Sequence, residues 1–181
     1  APLDSLEADE TALISAGWEP MKKADGYDDL YYRRWMHEPP PPTHRTRQRL
    51  IAAHHTILPT TARPKPAADA LIAGSLALPG GLRVLSPEDM IVHAAAHLFA
   101  DGDLAGGLRN LWDIDRLLRQ FDGEDFRRRL GDRSRLHGLE RHVRRALRLS
   151  SRLYGTPVDS GFAVRFSIAD RLFEARLLAR N

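Results

Sequence analysis

The chain contains no cysteine, which excludes disulfide bonds, thiolate metal sites and cysteine nucleophiles. It also lacks any apolar run near the roughly 18 residues that a membrane-spanning helix needs. Its first residues are acidic and do not show the basic and then apolar layout of a secretory signal. From these features we expect a cytoplasmic protein that does not cross a membrane.

Charge is distributed unevenly along the chain. Residues 101–181 carry seventeen arginines, no lysine and twelve acidic residues, whereas residues 1–100 carry ten basic and twelve acidic side chains. The arginines alternate with acids in segments of helical character, a pattern typical of a solvated, ion-paired helix surface, so a nucleic-acid partner is not favoured. With 43% hydrophobic and 28% charged residues in a chain of 181, the composition indicates a folded globular protein and excludes a disordered one.

The first half of the chain predicts one helix and a few strands. Leucine and isoleucine at helical spacing indicate a helix at 3–16, which Gly17 ends. The proline run at 39–42 forbids regular structure there. Three segments are predicted as strands: 18–23, 30–36 and 50–58. We expect these strands to form a small, mostly antiparallel sheet.

From residue 86 onward the pattern is helical. Ser86 is a predicted N-cap, Pro87 stands at the first helical position, and Glu88 and Asp89 place acids in the first turn. After this start, predicted helices lie at 87–99, 108–121, 123–135, 139–154 and 164–179, and one short helix is predicted earlier, at 67–73. The sequence therefore predicts an α+β protein with two domains, an α+β region at 1–85 and an α-helical bundle at 86–181.

Two pairs of polar residues in the first half could carry chemistry. His37 and Glu38 precede the prolines, where a rigid loop would hold an acid–base pair at a pocket rim; the alternative is an exposed strand end. His54 and His55 lie within an apolar segment, and on a strand they would point to opposite faces and could not share one metal ion without a distortion such as a bulge. Each is either a site residue or a hydrogen-bonded structural histidine.

His93 and His97 are four residues apart, which places both imidazoles on one helix face. Zinc-binding helices use this spacing, but Ala94 stands where a metalloprotease has its glutamate, so that reading fails. Asp101 and Asp103 could add oxygen ligands, although buried histidines bonded to neighbouring helices are the favoured interpretation.

Arg109 and Asp113 share the same spacing on the next helix and could form an ion pair there. If partly buried, this pair would orient His97 from the preceding helix, chiefly as a packing device. The four residues His93, His97, Arg109 and Asp113 are therefore predicted as a structural polar cluster. The sequence contains neither a P-loop nor a Gly-x-Ser-x-Gly elbow.

Four segments together resemble one bacterial family: YYRRWMHEPP at 31–40, IAAHHTILPTTAR at 51–63, LRVLSPEDM and HAAAHLF at 82–99, and GLRNLWDID at 107–115. They are similar to the uncharacterised nucleotidyltransferases, which are related to the polymerase-beta-like nucleotidyltransferase fold, and the similarity covers about residues 3–155. The resemblance implies a mixed sheet that holds a nucleoside triphosphate and Mg²⁺, followed by helices that cover the site. Two carboxylates on one strand would bind the ions after a Gly-Ser turn.

The chain departs from that pattern in two ways. Its first residues resemble the segment on the C-terminal side of the metal-binding strand, so we expect a fragment or degenerate relative that lacks the Gly-rich turn and the Asp-x-Asp strand. Ala52 and Ala53 stand where relatives tend to have an acid. The resemblance places His54 or His55 in the pocket and His37 and Glu38 near its rim, and we expect the chain as it stands to be inactive.

Two functions from different classes remain open. The first is a portion of an enzyme that transfers a nucleotidyl group from a nucleoside triphosphate to an unknown hydroxyl or protein acceptor, with Mg²⁺ as cofactor. The second is a non-catalytic module that binds a nucleotide or a protein. A sheet without its first strands would expose an edge, so a homodimer through that edge is also expected.

Overall fold

The computed structural model describes residues 3–19, 41–47, 49–100, 104–158 and 165–180, together with the single positions 26, 31 and 36. The chain divides into two compact units, Ala1–Ala73 and Gly74–Asn181. Each unit is built on its own short antiparallel sheet, and the long helices belong to the second.

The first unit begins with a helix that leads directly into a strand. A 3₁₀ turn at Leu3–Ser5 precedes helix α1 (Leu6–Ser15), whose Leu6 is fully buried. Gly17 has φ +91°, a left-handed conformation that suits glycine and turns the chain into β1 (Trp18–Glu19). Strand β1 pairs antiparallel with β2 (Thr43–His44). The predicted first helix is confirmed, and of the predicted first strand the structure describes only residues 18 and 19.

The strand predicted at 50–58 is wrong. Leu50 makes one isolated antiparallel bridge to Thr43, after which residues 51–54 have no regular structure and residues 55–58 form bends. Ile57 and Leu58 are both buried, so the apolar run is packed by irregular backbone, without a ladder. Of the strand predicted at 30–36 the structure describes only Tyr31, which is helical, and Met36, which lies in a bend.

The first unit ends in a short helix and the second begins with a hairpin. Helix α2 (Ala68–Ala73) buries Leu71. Strand β3 (Leu76–Ala77) then pairs antiparallel with β4 (Arg83–Val84). The turn between them uses Gly80 and Gly81, whose φ values of +88° and +84° are left-handed. Among the described residues, the antiparallel pairing thus consists of two separate pairs of strands.

In the rest of the second unit the described residues form five helices: α3 (Pro87–Ala100), α4 (Gly107–Gln120), α5 (Glu124–Leu136), α6 (Glu140–Tyr154) and α7 (Ile168–Arg180). Helix α3 packs against α4, α5 and α6, and α7 packs against α6 and α4. Their shared core is aliphatic and fully buried: Ile91, Val92, Leu111, Ile114, Leu130, Val143, Leu147 and Leu177. Burial of such side chains is the main driving force for packing amphipathic helices.

The predicted α+β class and the predicted helices are confirmed, with shifts of one or two residues at most ends. The last helix begins at Ile168, four residues later than predicted. Ser86 is confirmed as an N-cap, because its Oγ accepts a hydrogen bond from the Asp89 backbone N–H at 3.2 Å. Among the described helices, none combines the length and apolar character needed to cross a membrane.

Candidate functional site

His54 and His55 lie in the irregular segment that follows β2. His55 is buried and His54 is half-buried. Because this segment is not a strand, the predicted alternation of the two rings across a sheet does not apply. The two adjacent histidines therefore lie in a loop, shortly before the buried Ile57 and Leu58 in the sequence. His37 and Glu38, the other predicted pair of the first unit, lie outside the described residues.

His93 and His97 meet on α3 as their spacing predicts. The ring centroids are 4.4 Å apart with the planes inclined by 43°, and both side chains are half-buried. Asp101 and Asp103, the oxygen ligands considered with them, lie outside the described residues. Within the described part of the chain, no group of three or more His, Asp or Glu side chains is arranged to hold a metal ion.

Arg109 and Asp113 do not form the pair that the sequence suggests. Both side chains are exposed on α4, and among the described ion pairs none joins them. Exposure is the physical reason, since an i,i+4 pair in water gains little over two solvated charges. The predicted orientation of His97 by this pair therefore has no structural basis.

The buried carboxylate of α4 is instead Asp115, which is fully buried. It accepts hydrogen bonds from Arg119 Nε at 2.8 Å, from Arg116 Nε at 2.9 Å and from the Thr156 hydroxyl at 2.8 Å. Burial raises the pKa of Asp115, but the hydrogen bonds from Arg116, Thr156 and Arg119 outweigh burial and bring the pKa below its ordinary value. Burial also raises the pKa of the Tyr154 hydroxyl, with a further contribution from the charge of Asp115.

A second buried carboxylate, Asp89, joins α3 to α5. Arg133 donates to it through Nε at 2.7 Å and through Nη2 at 2.5 Å, and Nε2 of the fully buried His137 lies 3.4 Å from Asp89 Oδ1. Burial raises the pKa of Asp89, but the neighbouring His137 imidazole and the hydrogen bonds from Arg133 outweigh this and lower the pKa overall. Beside it, Glu88 accepts from Arg129 Nε at 2.7 Å.

A third buried carboxylate, Asp170, joins α7 to α6. It accepts from Arg148 Nε at 2.8 Å and Nη2 at 3.0 Å, from Arg145 Nε at 3.1 Å, and from the Ser167 hydroxyl and backbone N–H at 2.8 Å. Burial raises its pKa, but the hydrogen bonds from Arg148 and Ser167 hold the pKa far below the ordinary value. The carboxylate is thus ionised and saturated with donors.

Sequence reasoning did not identify these three aspartates as buried, although a local signal marks two of them. Asp89 follows Ser86 by three positions, and Asp170 follows Ser167 by three. This is the spacing of a helix N-terminus at which the serine caps the acid's backbone N–H. Both serines do so, at 3.2 Å and 3.1 Å.

The buried carboxylates do not fit a magnesium site. Mg²⁺ needs free carboxylate oxygens in octahedral geometry, whereas the oxygens of Asp89, Asp115 and Asp170 already accept N–H or O–H groups from arginine, serine or threonine. In the histidine segment, Ala52 and Ala53 provide no side-chain ligand atom. These three buried carboxylates therefore stabilise the packing of the helices.

Comparison with known proteins adds one match. A protein-family model described as uncharacterised nucleotidyltransferase matches residues 1–155. No curated protein and no solved structure matches the chain significantly. The matched range contains His54, His55, His93 and His97, and α7 lies beyond it.

Proposed function

Because this chain belongs to the uncharacterised nucleotidyltransferase family, we propose that it serves in the transfer of a nucleotidyl group from a nucleoside triphosphate. In this reaction an acceptor oxygen bonds to the α-phosphorus, the bond to the oxygen bridging to the β-phosphate breaks, and pyrophosphate leaves. The acceptor is a hydroxyl of a small molecule or of a protein. The family match over residues 1–155 is the observation that carries the proposal.

His54 and His55 are the residues that we assign to nucleotide contact in the first unit. A neutral imidazole donates one N–H, and a protonated one donates two, to a phosphate oxygen. Their burial in an irregular segment supports this assignment, since loop segments often present binding residues. His37 and Glu38 are assigned to the rim of the same pocket on the strength of the resemblance alone. A cytoplasmic location, where nucleoside triphosphates are abundant, follows from the proposal.

We further propose that the described residues contact the nucleotide without supplying the metal ligands. Ala52 and Ala53 have no ligand atom, and the three buried aspartates are committed to arginines. Mg²⁺, the cofactor expected from the family, would supply charge neutralisation of the phosphates. It would reach this chain as part of the magnesium–nucleotide complex.

A non-catalytic module that binds a nucleotide or a protein is the second candidate function. The observation that favours it is the alanine pair at 52–53, because a binding module has no need of an acid there. The two candidates differ in what happens to the nucleotide: in the first its binding serves nucleotidyl transfer, and in the second no bond of the nucleotide breaks.

The assignment of the histidines is tested by substitution. We expect His54→Gln or His55→Gln to weaken the binding of magnesium-ATP about tenfold, the effect of losing one hydrogen bond to a charged group. His44→Gln in β2 is the matched control from the same unit and should change affinity less than twofold, about the scatter expected for a residue outside the site. Equal affinities in all four proteins, measured by titration calorimetry, would remove the histidines from the site.

A further inference from the structure

A groove of about 640 Å³ runs along α6 and α7 in the second unit. Its lining comes from both helices and from the segments that flank α7: Arg148, Ser151, Arg152, Val158, Phe166, Arg171 and Glu174. Four of these residues lie beyond residue 155, outside the part of the chain that matches the family model. The proposed nucleotide site makes no use of this groove.

Among the described residues that line the groove, positive charge exceeds negative charge. Asp170 is shared by two arginines, Arg145 and Arg148, so one of these guanidinium charges is left without a carboxylate of its own. Arg152 is paired with Glu174 at 3.2 Å between Nε and Oε1. Arg171 is exposed and makes no ion pair with any described residue. In the described part of the lining, three guanidinium groups thus accompany one carboxylate.

The surplus charge lies where an anion would be held better than in open water. Arg148 is only 16% exposed and its head is fixed in two hydrogen bonds to Asp170, so little side-chain entropy remains to be lost when an anion arrives. The Ser151 hydroxyl in the wall can donate a further hydrogen bond. Partial exclusion of water strengthens each of these interactions.

The lining also includes two apolar residues, Val158 and Phe166, both half-buried. A lining of this mixed kind suits a ligand with one anionic end and one apolar end, because the anionic end can contact the arginines while the apolar end contacts Val158 and Phe166. A bare inorganic ion would leave the two apolar residues uncovered.

We propose that the groove between α6 and α7 binds an organic phosphate monoester, with Arg171 as the principal phosphate contact and Phe166 against the apolar substituent. Arg171 is assigned this role because its guanidinium is the one in the groove with no carboxylate among the described residues. Guanidinium groups bind phosphate through two parallel N–H donors. The ligand class is defined by this chemistry, independently of the nucleotidyl-transfer proposal.

The test is a calorimetric titration of the full chain with phenyl phosphate, and with inorganic phosphate for comparison. We expect saturable binding of phenyl phosphate that is tighter than binding of inorganic phosphate and that weakens as salt is raised. Arg171→Gln should weaken phenyl phosphate about tenfold. Arg141→Gln, an exposed arginine of α6 outside the groove, is the matched control and should change affinity less than twofold.

A second variant separates the contribution of the apolar residues to binding from that of Arg171. Phe166→Ala should weaken phenyl phosphate and leave inorganic phosphate unchanged, whereas Arg171→Gln should weaken both. The proposal is overturned if the unaltered chain shows no saturable binding of phenyl phosphate below about 10 mM, a free energy near 3 kcal/mol. It is also overturned if Arg141→Gln and Arg171→Gln weaken binding equally, since that result indicates diffuse attraction by surface charge. Neither outcome affects the proposed nucleotide site, which is measured with magnesium-ATP.

Discussion

Arg133 on α5 donates two hydrogen bonds to the fully buried carboxylate of Asp89 on α3, with Nε 2.7 Å from Oδ1 and Nη2 2.5 Å from Oδ2. The two residues are 44 positions apart in the chain, so this ion pair fixes the packing of two helices that are not consecutive. Asp170 is linked in the same way to Arg148 of α6, whereas Asp115 is paired with Arg119 of its own helix α4. Buried acids held by arginines are therefore a repeated device of the second unit.

Asp89→Asn should destabilise the protein by about 3 kcal/mol, because it leaves the guanidinium of Arg133 without its counter-charge in a mostly buried position. Urea unfolding followed by circular dichroism measures the change. Asp132→Asn is the control: Asp132 is paired with Arg135 on the exposed face of α5, and its loss should cost about 0.5 kcal/mol or less. Equal losses in the two variants would contradict a special role for the buried pair.

Stability should fall steeply in acid. The pKa values of Asp89, Asp115 and Asp170 are all lowered from the ordinary 3.8 in the folded protein. The unfolded chain therefore takes up these protons first as the pH falls, and the stabilisation, complete above about pH 5, is lost as the pH drops through 3.8 and below. Urea unfolding measures the difference in unfolding free energy between the unaltered protein and Asp89→Asn, and this difference should be smaller at about pH 3.5 than at about pH 6. A difference that stays constant would be inconsistent with a lowered pKa for Asp89.

His142 predicts a second pH effect at milder acidity. Burial, assisted by the nearby charge of Arg145, lowers the pKa of His142 below 6.5 in the folded state. Below about pH 6.5 the unfolded chain binds a proton that the folded chain does not, so the folded protein loses stability as the pH falls. His142→Gln removes this dependence, and its unfolding free energy should decline less than that of the unaltered protein between about pH 7.5 and about pH 5.5. A parallel decline in both proteins would count against it.

Gly107→Ala should destabilise the start of α4 by about 1–3 kcal/mol through overpacking. An added Cβ would lie 2.9 Å from Leu98 Cδ1 and still closer to Leu177 Cδ2. Leu177→Ala makes room on one side, so the double variant should be more stable than the sum of the two single effects indicates. Thermal or urea unfolding of the four proteins gives the coupling, and strict additivity would show that Leu177 does not crowd Gly107.

Local signals accounted for most of the helices. The start of α3 could be predicted because Ser86, Pro87 and the two acids after them act within one turn of the helix. The segment at 50–58 could not be predicted, because Ile57 and Leu58 are buried by bends, and the sequence shows the same apolar pattern that a strand would show.

Which acidic residues are buried could not be predicted from local sequence patterns either. Asp113 and Asp115 are both acids of α4, and only tertiary packing makes the second one buried and the first one exposed. Arg148, which binds Asp170, lies 22 positions from it in the chain, and Arg133, which binds Asp89, lies 44 positions from it. By contrast, the His93–His97 contact was predictable, since i,i+4 geometry is fixed within a single helix.

Equilibrium titration of the unaltered 181-residue chain with magnesium-ATP, read by calorimetry alongside an assay for released pyrophosphate, puts the whole account to the test. We expect saturable binding of the nucleotide and no pyrophosphate release above the rate in buffer, as for a nucleotidyltransferase-family chain that contacts the nucleotide without providing metal ligands. A chain that fails to bind, or one that turns the nucleotide over unaided, would contradict that expectation.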